Sequence, residues 1–172
     1  SRMAQRNLAK VAISVTTLDP KLARTMEPRA ATPARRLEAL RQLSEAGIPT
    51  TVMVAPVIPA INDADIGRIL DAASLAGVRG AGYVMLRLPL EVRDLFKEWL
   101  MANYPDRFRH VMKLVREMRG GKDYDSTWGK RQTGEARLRH PSAIPAFARD
   151  FLLRLGVDPA AARKRAGELL GL

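Results

Sequence analysis

The sequence contains no cysteine. That absence excludes disulfides, thiolate zinc sites, a cysteine nucleophile and any iron–sulfur cluster held by this chain's own side chains. Histidine is almost as scarce. His110 and His140 are the only two, too few for a histidine-rich metal site, and neither has an obvious acid or nucleophile partner in the sequence. No run approaches the ~18–20 uninterrupted apolar residues of a membrane helix. The opening SRMAQRNLAK has no apolar h-region, so no signal peptide is expected, nor a membrane partner, and the expected compartment is the cytoplasm. There is no P-loop, no G-x-G-x-x-G and no G-x-S-x-G, which removes the usual phosphate-loop, dinucleotide and nucleophile-elbow readings.

What is present suits a globular protein. The 172 residues make one domain or a piece of a larger one, and 47% hydrophobic content is too high for disorder. The net charge of +11 is unevenly spread. Residues 1–103 carry 14 basic and 10 acidic side chains, and residues 104–172 carry 15 and 8, giving +4 and +7. Such a bias favours polyanionic partners, DNA or RNA among them, although an arginine-rich solvated surface explains it equally well.

Hydrophobic patterning alternates strands and helices. KVAISVTT (10–17) reads as a buried strand, followed by a long irregular connection, LDPKLARTMEPRAAT (18–32), of the kind that is usually functional. Thr32 caps a helix with Pro33 at its first position, Leu37, Leu40 and Leu43 recur at helical spacing, and Gly47 ends it. A second strand spans 50–58, and Asp63 is expected to cap a helix carrying Ile66, Ile69, Leu70 and Ala73. A third strand, 81–89, precedes a helix from Glu91 to Met101 whose Val92, Leu95, Phe96, Trp99 and Leu100 form one apolar stripe. A further helix over 106–118 turns Phe108, Val111, Met112, Val115 and Met118 inward. Short helices over 143–155 and 158–170 are expected to close the chain.

Strands apolar on both faces, separated by helices, predict a parallel sheet covered by helices, either doubly wound or a (β/α) barrel. Both place ligands at the carboxyl ends of the strands, here Ser14–Thr17, Ala55–Pro59 and Arg87–Pro89. Three strands leave two open edges, so the chain is expected to be incomplete at its amino end, with the strands that precede residue 10 lost.

Three groups at those ends carry chemistry. Ser14 and Thr16 share a face, and their hydroxyls suit a ribose or small polar substrate, or simply finish a strand. Arg24, Glu27, Arg29, Arg35 and Arg36 converge where the long connection enters a helix, an arrangement suited to a carboxylate or phosphate, or a solvated loop. Pro56 and Pro59 stiffen the end of the second strand, leaving free carbonyls and an apolar rim of Val57 and Ile58 on which a flat ring such as adenine can lie. The plainer alternative is a βα turn in which Asn62 and Asp63 lead into the next helix. GKDYDSTWGKRQTG (121–134) interleaves Tyr124 and Trp128 with basic residues, as a base-stacking segment or a packing loop would.

Together these stretches resemble the radical S-adenosylmethionine superfamily, in the branch related to spore photoproduct lyase. The resemblance rests on Ser14-Val15-Thr16, Arg24, Glu27-Pro28, Thr32-Pro33, Arg36-Leu37-Glu38-Ala39 and Val54-Ala55-Pro56, with YVMLRLPLEVRDLFKEWL and MRGGKDYDSTWG later, over about residues 8–134. It implies the C-terminal half of a partial (β/α)6 TIM-like barrel over residues 1–103, with a basic, mainly helical extension over 104–172. It also implies S-adenosylmethionine across the strand ends. Ser14 and Thr16 would lie near its ribose or methionine part and Arg24 on its carboxylate. Glu27 and Arg36 would organise that loop, and Ala55, Pro56 and Val57 would back its adenine. The family's [4Fe–4S] cluster sits on a C-x-x-x-C-x-x-C loop and, fed by an electron donor, reduces S-adenosylmethionine to a 5′-deoxyadenosyl radical. This chain has no such loop, so its cluster ligands are expected only in a preceding region, and the chain is not expected to act alone. A non-catalytic, basic nucleic-acid-binding module is the alternative. A barrel fragment with a phosphate site near Arg35 and Arg36 is a third.

Overall fold

In the computed structural model, which describes residues 2–123 apart from Asn7 and Gly120, three parallel strands stand in the order β1 (Val11–Ser14), β2 (Thr50–Val57) and β3 (Gly80–Met85). Around them run α1 (Arg2–Gln5), α2 (Pro20–Met26), α3 (Pro33–Glu45), α4 (Ile66–Leu75), α5 (Leu90–Asn103) and α6 (Phe108–Glu117). The register pairs Ser14 with Met53 and Met53 with Gly82. The result is a mixed α/β unit compatible with part of a TIM-like fold. Among the described residues no helix is long and apolar enough to cross a membrane.

Alternation along the strands sends Ile13, Val15, Val52, Val54, Ala81 and Tyr83 toward α3 and α4, where they pack with Leu40, Ile69, Leu70 and Ala73. Leu40, Val52 and Ile69 are fully or almost fully buried there, each contributing about 1.5–3 kcal/mol. The opposite face carries Ala12, Ser14, Thr51, Met53, Gly80 and Gly82, so the strands are not apolar on both sides as expected. Neighbouring side chains approach both of its glycines closely. A Cβ at Gly82 would meet Met53 Sδ at 2.8 Å, and one at Gly80 would meet Thr51 Oγ1 at 2.8 Å.

A second core lies past the carboxyl ends of β2 and β3, where Ile58, Leu86, Leu88, Leu100, Val111, Met112 and Val115 pack together. It makes α6 inward-facing as expected. The stripe on α5 is only half used, because Leu100 is buried while Val92 and Leu95 are 46% and 65% exposed. Lys97 of α5 and Arg116 of α6 converge on Asp123 at 2.7 and 2.6 Å. The Lys97 hydrogen bond, followed by that of Arg116, holds the Asp123 carboxyl below the usual range.

Several expectations need correction. The connection 18–32 is irregular only in part, because Asp19 accepts from Lys21 N at 2.8 Å, Pro20 takes the first position, and α2 forms before the irregular segment Glu27–Thr32. The third strand ends at Met85, not Pro89. Asp63 does not cap α4. It opens a 3₁₀ turn, Asp63–Asp65, and the helix starts at Ile66. The expected helices over 143–155 and 158–170, Tyr124, Trp128 and His140 lie outside the described residues.

Candidate functional site

The carboxyl end of β1 opens into a cleft of about 110 Å³ walled by α2, by the segment Glu27–Thr32 and by the first turn of α3. Its floor is Val15, Thr16 and Thr17, all buried. Thr32 Oγ1 accepts from Arg35 N at 3.4 Å and Pro33 follows it, so α3 points its amino end, with the positive end of its dipole, at the cleft.

Arg36 organises one wall. Its side chain is 13% exposed; Nη2 lies 3.0 Å from Glu27 Oε2, Nη1 donates to Ser14 O at 2.9 Å and Nε donates to Ala31 O at 2.9 Å. Thr16 Oγ1 donates to the same Glu27 oxygen at 3.3 Å. Strand end, loop and helix are therefore tied to one guanidinium, whose planar fork is built for several fixed acceptors. Arg24 is different. It lines the cleft from α2, is exposed, and has no ion-pair partner among the described residues. With Arg36 already neutralised by Glu27, Arg24 and the helix end leave the cleft net positive.

The expected site residues thus separate into two groups. Thr16, Arg24, Glu27 and Arg36 are brought together, and Ser14 joins them through its carbonyl. Arg29 and Arg35 are exposed and do not line the cleft, so five guanidinium and carboxylate groups do not converge there. Ala55, Pro56 and Val57 lie outside it on the neighbouring strand end, where the Ala55–Pro56 peptide is cis. Two details of that strand end need correcting. Its carbonyls are not free, since Pro56 O accepts from Asn62 Nδ2 at 3.0 Å and Val57 O from Leu86 N at 2.8 Å. The supposed apolar rim is interior, with Val57 and Ile58 at 2% and 1% exposure in the two cores.

Three positioning contacts were not anticipated. Asn62 bridges the ends of β1 and β2 through its amide. Thr17 Oγ1 accepts from Asp19 N at 3.0 Å and donates to Asp65 Oδ2 at 3.4 Å, tying the start of α2 to the start of α4. Trp99 Nε1 donates to Thr25 O at 3.1 Å, holding α2 from α5 one residue after Arg24. A polar residue ending the apolar run VAPVIPAI was the available signal for Asn62; the other two depend on long-range packing. On α6, Arg109, Lys113 and Arg116 share an exposed face, but Lys113 faces Glu117 at 3.8 Å and Arg116 binds Asp123.

The sequence model of the Radical SAM superfamily matches residues 1–73, a span that contains the entire cleft, β1, α2, α3 and β2. An uncharacterized protein of Mycobacterium bovis is 32% identical over 115 residues, covering 66% of this chain and 34% of the relative. An uncharacterized protein of Mycobacterium tuberculosis is similar to the same extent. An uncharacterized protein of Acidianus two-tailed virus is 47% identical over 47 residues, 27% of this chain and 16% of the relative. The chain spans about a third of the length of the mycobacterial relatives. No solved structure matches it.

Proposed function

We propose that this chain is the S-adenosylmethionine-holding portion of a radical S-adenosylmethionine enzyme, in the branch related to spore photoproduct lyase, and that the cleft at the end of β1 takes the methionine carboxylate. The observation that carries the reading is Arg24, without an ion-pair partner among the described residues, beside the amino end of α3 and within the span similar to that superfamily. A volume of about 110 Å³ is too small for a whole ligand, since enclosed ligand sites run to roughly 300–1,000 Å³, but it suits one charged end.

The residues present fit the two implied groups unequally. There is no cysteine, and among the described residues no three histidine or acidic side chains cluster, so this chain does not fit the iron–sulfur cluster. The amino-acid end of S-adenosylmethionine does fit. When bound and reduced in the complete enzyme, that ligand supplies the carbon radical that starts hydrogen abstraction. The part left to this chain is binding and orientation. Arg24 pairs with the carboxylate. Glu27 balances the charge of Arg36 and keeps it in place, so that Arg36 shapes the wall rather than competing for the ligand. Thr16 sets the floor and Ser14 stands on the open sheet face beside it. Ala55 and Pro56, half-buried, back the adenine, with Val57 contributing its backbone because its side chain is interior.

The test is an amide hydrogen-exchange footprint of S-adenosylmethionine on the protein. Protection is expected over residues 16–36, with a lesser effect over 53–58. Protection confined to α5 and α6, or none, would remove the assignment.

A further inference from the structure

Asn62 is fully buried, at 0% exposure, in the loop between β2 and α4. Both polar atoms of its carboxamide are hydrogen-bonded, and both N–H donors are used. Oδ1 accepts from Ile58 N at 2.7 Å, and Nδ2 donates to Thr16 O at 2.8 Å and to Pro56 O at 3.0 Å. The position of the Thr16 bond matters. The β1–β2 ladder ends where Val15 N donates to Met53 O at 2.9 Å. One residue later the carbonyl of Thr16 is taken up by a side chain from the next loop, 46 residues along the chain. The carboxamide acts as one more peptide group, adding a rung beyond the last backbone pairing.

Thr16 is also where the cleft network begins. Its hydroxyl holds Glu27, Glu27 holds Arg36, and Arg36 returns to Ser14 O. We infer that Asn62 is a positioning residue: by holding the end of β1 to the end of β2 it fixes the Thr16 peptide, and through Thr16 the placement of Glu27 and Arg36 in the cleft. No apolar residue of that size could do this, because a parallel strand end has polar groups that need partners at fixed directions. The effect on ligand binding rests on the S-adenosylmethionine reading; the effect on the cleft does not.

The test compares three variants. Asn62→Asp keeps the shape and the acceptor oxygen but removes both N–H donors. Asn62→Ser is a milder change for the case in which a buried carboxylate prevents folding. Thr50→Val is the control, removing the 2.7 Å Thr50–Ser44 hydrogen bond at the opposite end of β2. Amide exchange is read without ligand, and S-adenosylmethionine affinity by equilibrium dialysis. Exchange over residues 16–36 is expected to speed up about tenfold or more in the folded Asn62 variants and not in Thr50→Val. The ligand dissociation constant is expected to rise about tenfold in the Asn62 variants alone. Unchanged exchange over 16–36 in them, or equal acceleration in the control, overturns the inference. If the unsubstituted protein binds no S-adenosylmethionine, the ligand reading falls, and the exchange result still decides the role of Asn62.

Discussion

Arg24→Glu is expected to weaken S-adenosylmethionine binding about 100-fold, a change of roughly 2.7 kcal/mol. The magnitude follows from what the substitution does in the cleft. It removes the cleft cation that has no ion-pair partner among the described residues, and it sets a carboxylate against the ligand's own carboxylate in the same small space as Glu27. Unlike charges become like charges in a partly desolvated site, where such a swap exceeds the value of a surface pair. Folding stability should barely move, because Arg24 is exposed and has no ion-pair partner among the described residues to lose. Isothermal titration beside a urea melt checks both halves. Unchanged affinity in a folded variant would show that the carboxylate binds elsewhere.

Arg36→Ala is expected to have the opposite profile, with stability lost first. Its guanidinium serves Glu27, Ser14 O and Ala31 O together, at 13% exposure. Removal leaves a carboxylate at 33% exposure without its partner and a half-buried strand-end carbonyl without a donor. A fully buried broken pair costs about 3–5 kcal/mol. The partial exposure of Glu27 and the exposed Ala31 side of the network bring the expectation down to about 2–3 kcal/mol. Arg36→Lys should recover only part of this, because one ammonium cannot reach three acceptors set by a planar fork. Replacing Glu27 by Gln in the same background should recover some stability, since the stranded charge is then gone. A urea melt showing Arg36→Ala within about 0.5 kcal/mol of the unsubstituted protein would mean that the network is ornamental.

Much of the fold was legible because local signals agreed. Thr32-Pro33 and Gly47 bracket α3 in sequence and in structure, whereas β1 and β2, expected to be apolar on both faces, turn only alternate positions to the helices. The parallel sheet followed from that alternation of strands and helices. The errors came where a short signal was outvoted by a longer pattern. Asp19-Pro20 is a helix start, but two prolines and many charges made the connection look irregular. On α5 the apolar periodicity was right about the helix and wrong about its burial. Periodicity reports which residues share a face, while Val92 and Leu95 need something to face.

The cleft was legible in part for a physical reason. Arg24, Glu27 and Arg36 lie within 13 residues of one another on either side of a single helix start, so sequence proximity already constrains them in space. The second strand end was misread because its prolines suggested unpaired carbonyls. The partners that satisfy them, Asn62 and Leu86, become neighbours only when β2, its loop and β3 are packed. Asn62 and the Trp99–Thr25 bond show the same limit: a polar atom's need for a partner can be read from sequence, but the identity of a partner 46 or 74 residues away cannot.

The central claim is that the cleft recognises the carboxylate of S-adenosylmethionine, and the most direct test removes that carboxylate from the ligand. Equilibrium dialysis of the unsubstituted protein should show S-adenosylmethionine bound at least about tenfold more tightly than its decarboxylated analogue, because a charge-assisted pair with Arg24 is then lost. Equal affinity for the two ligands would contradict the account.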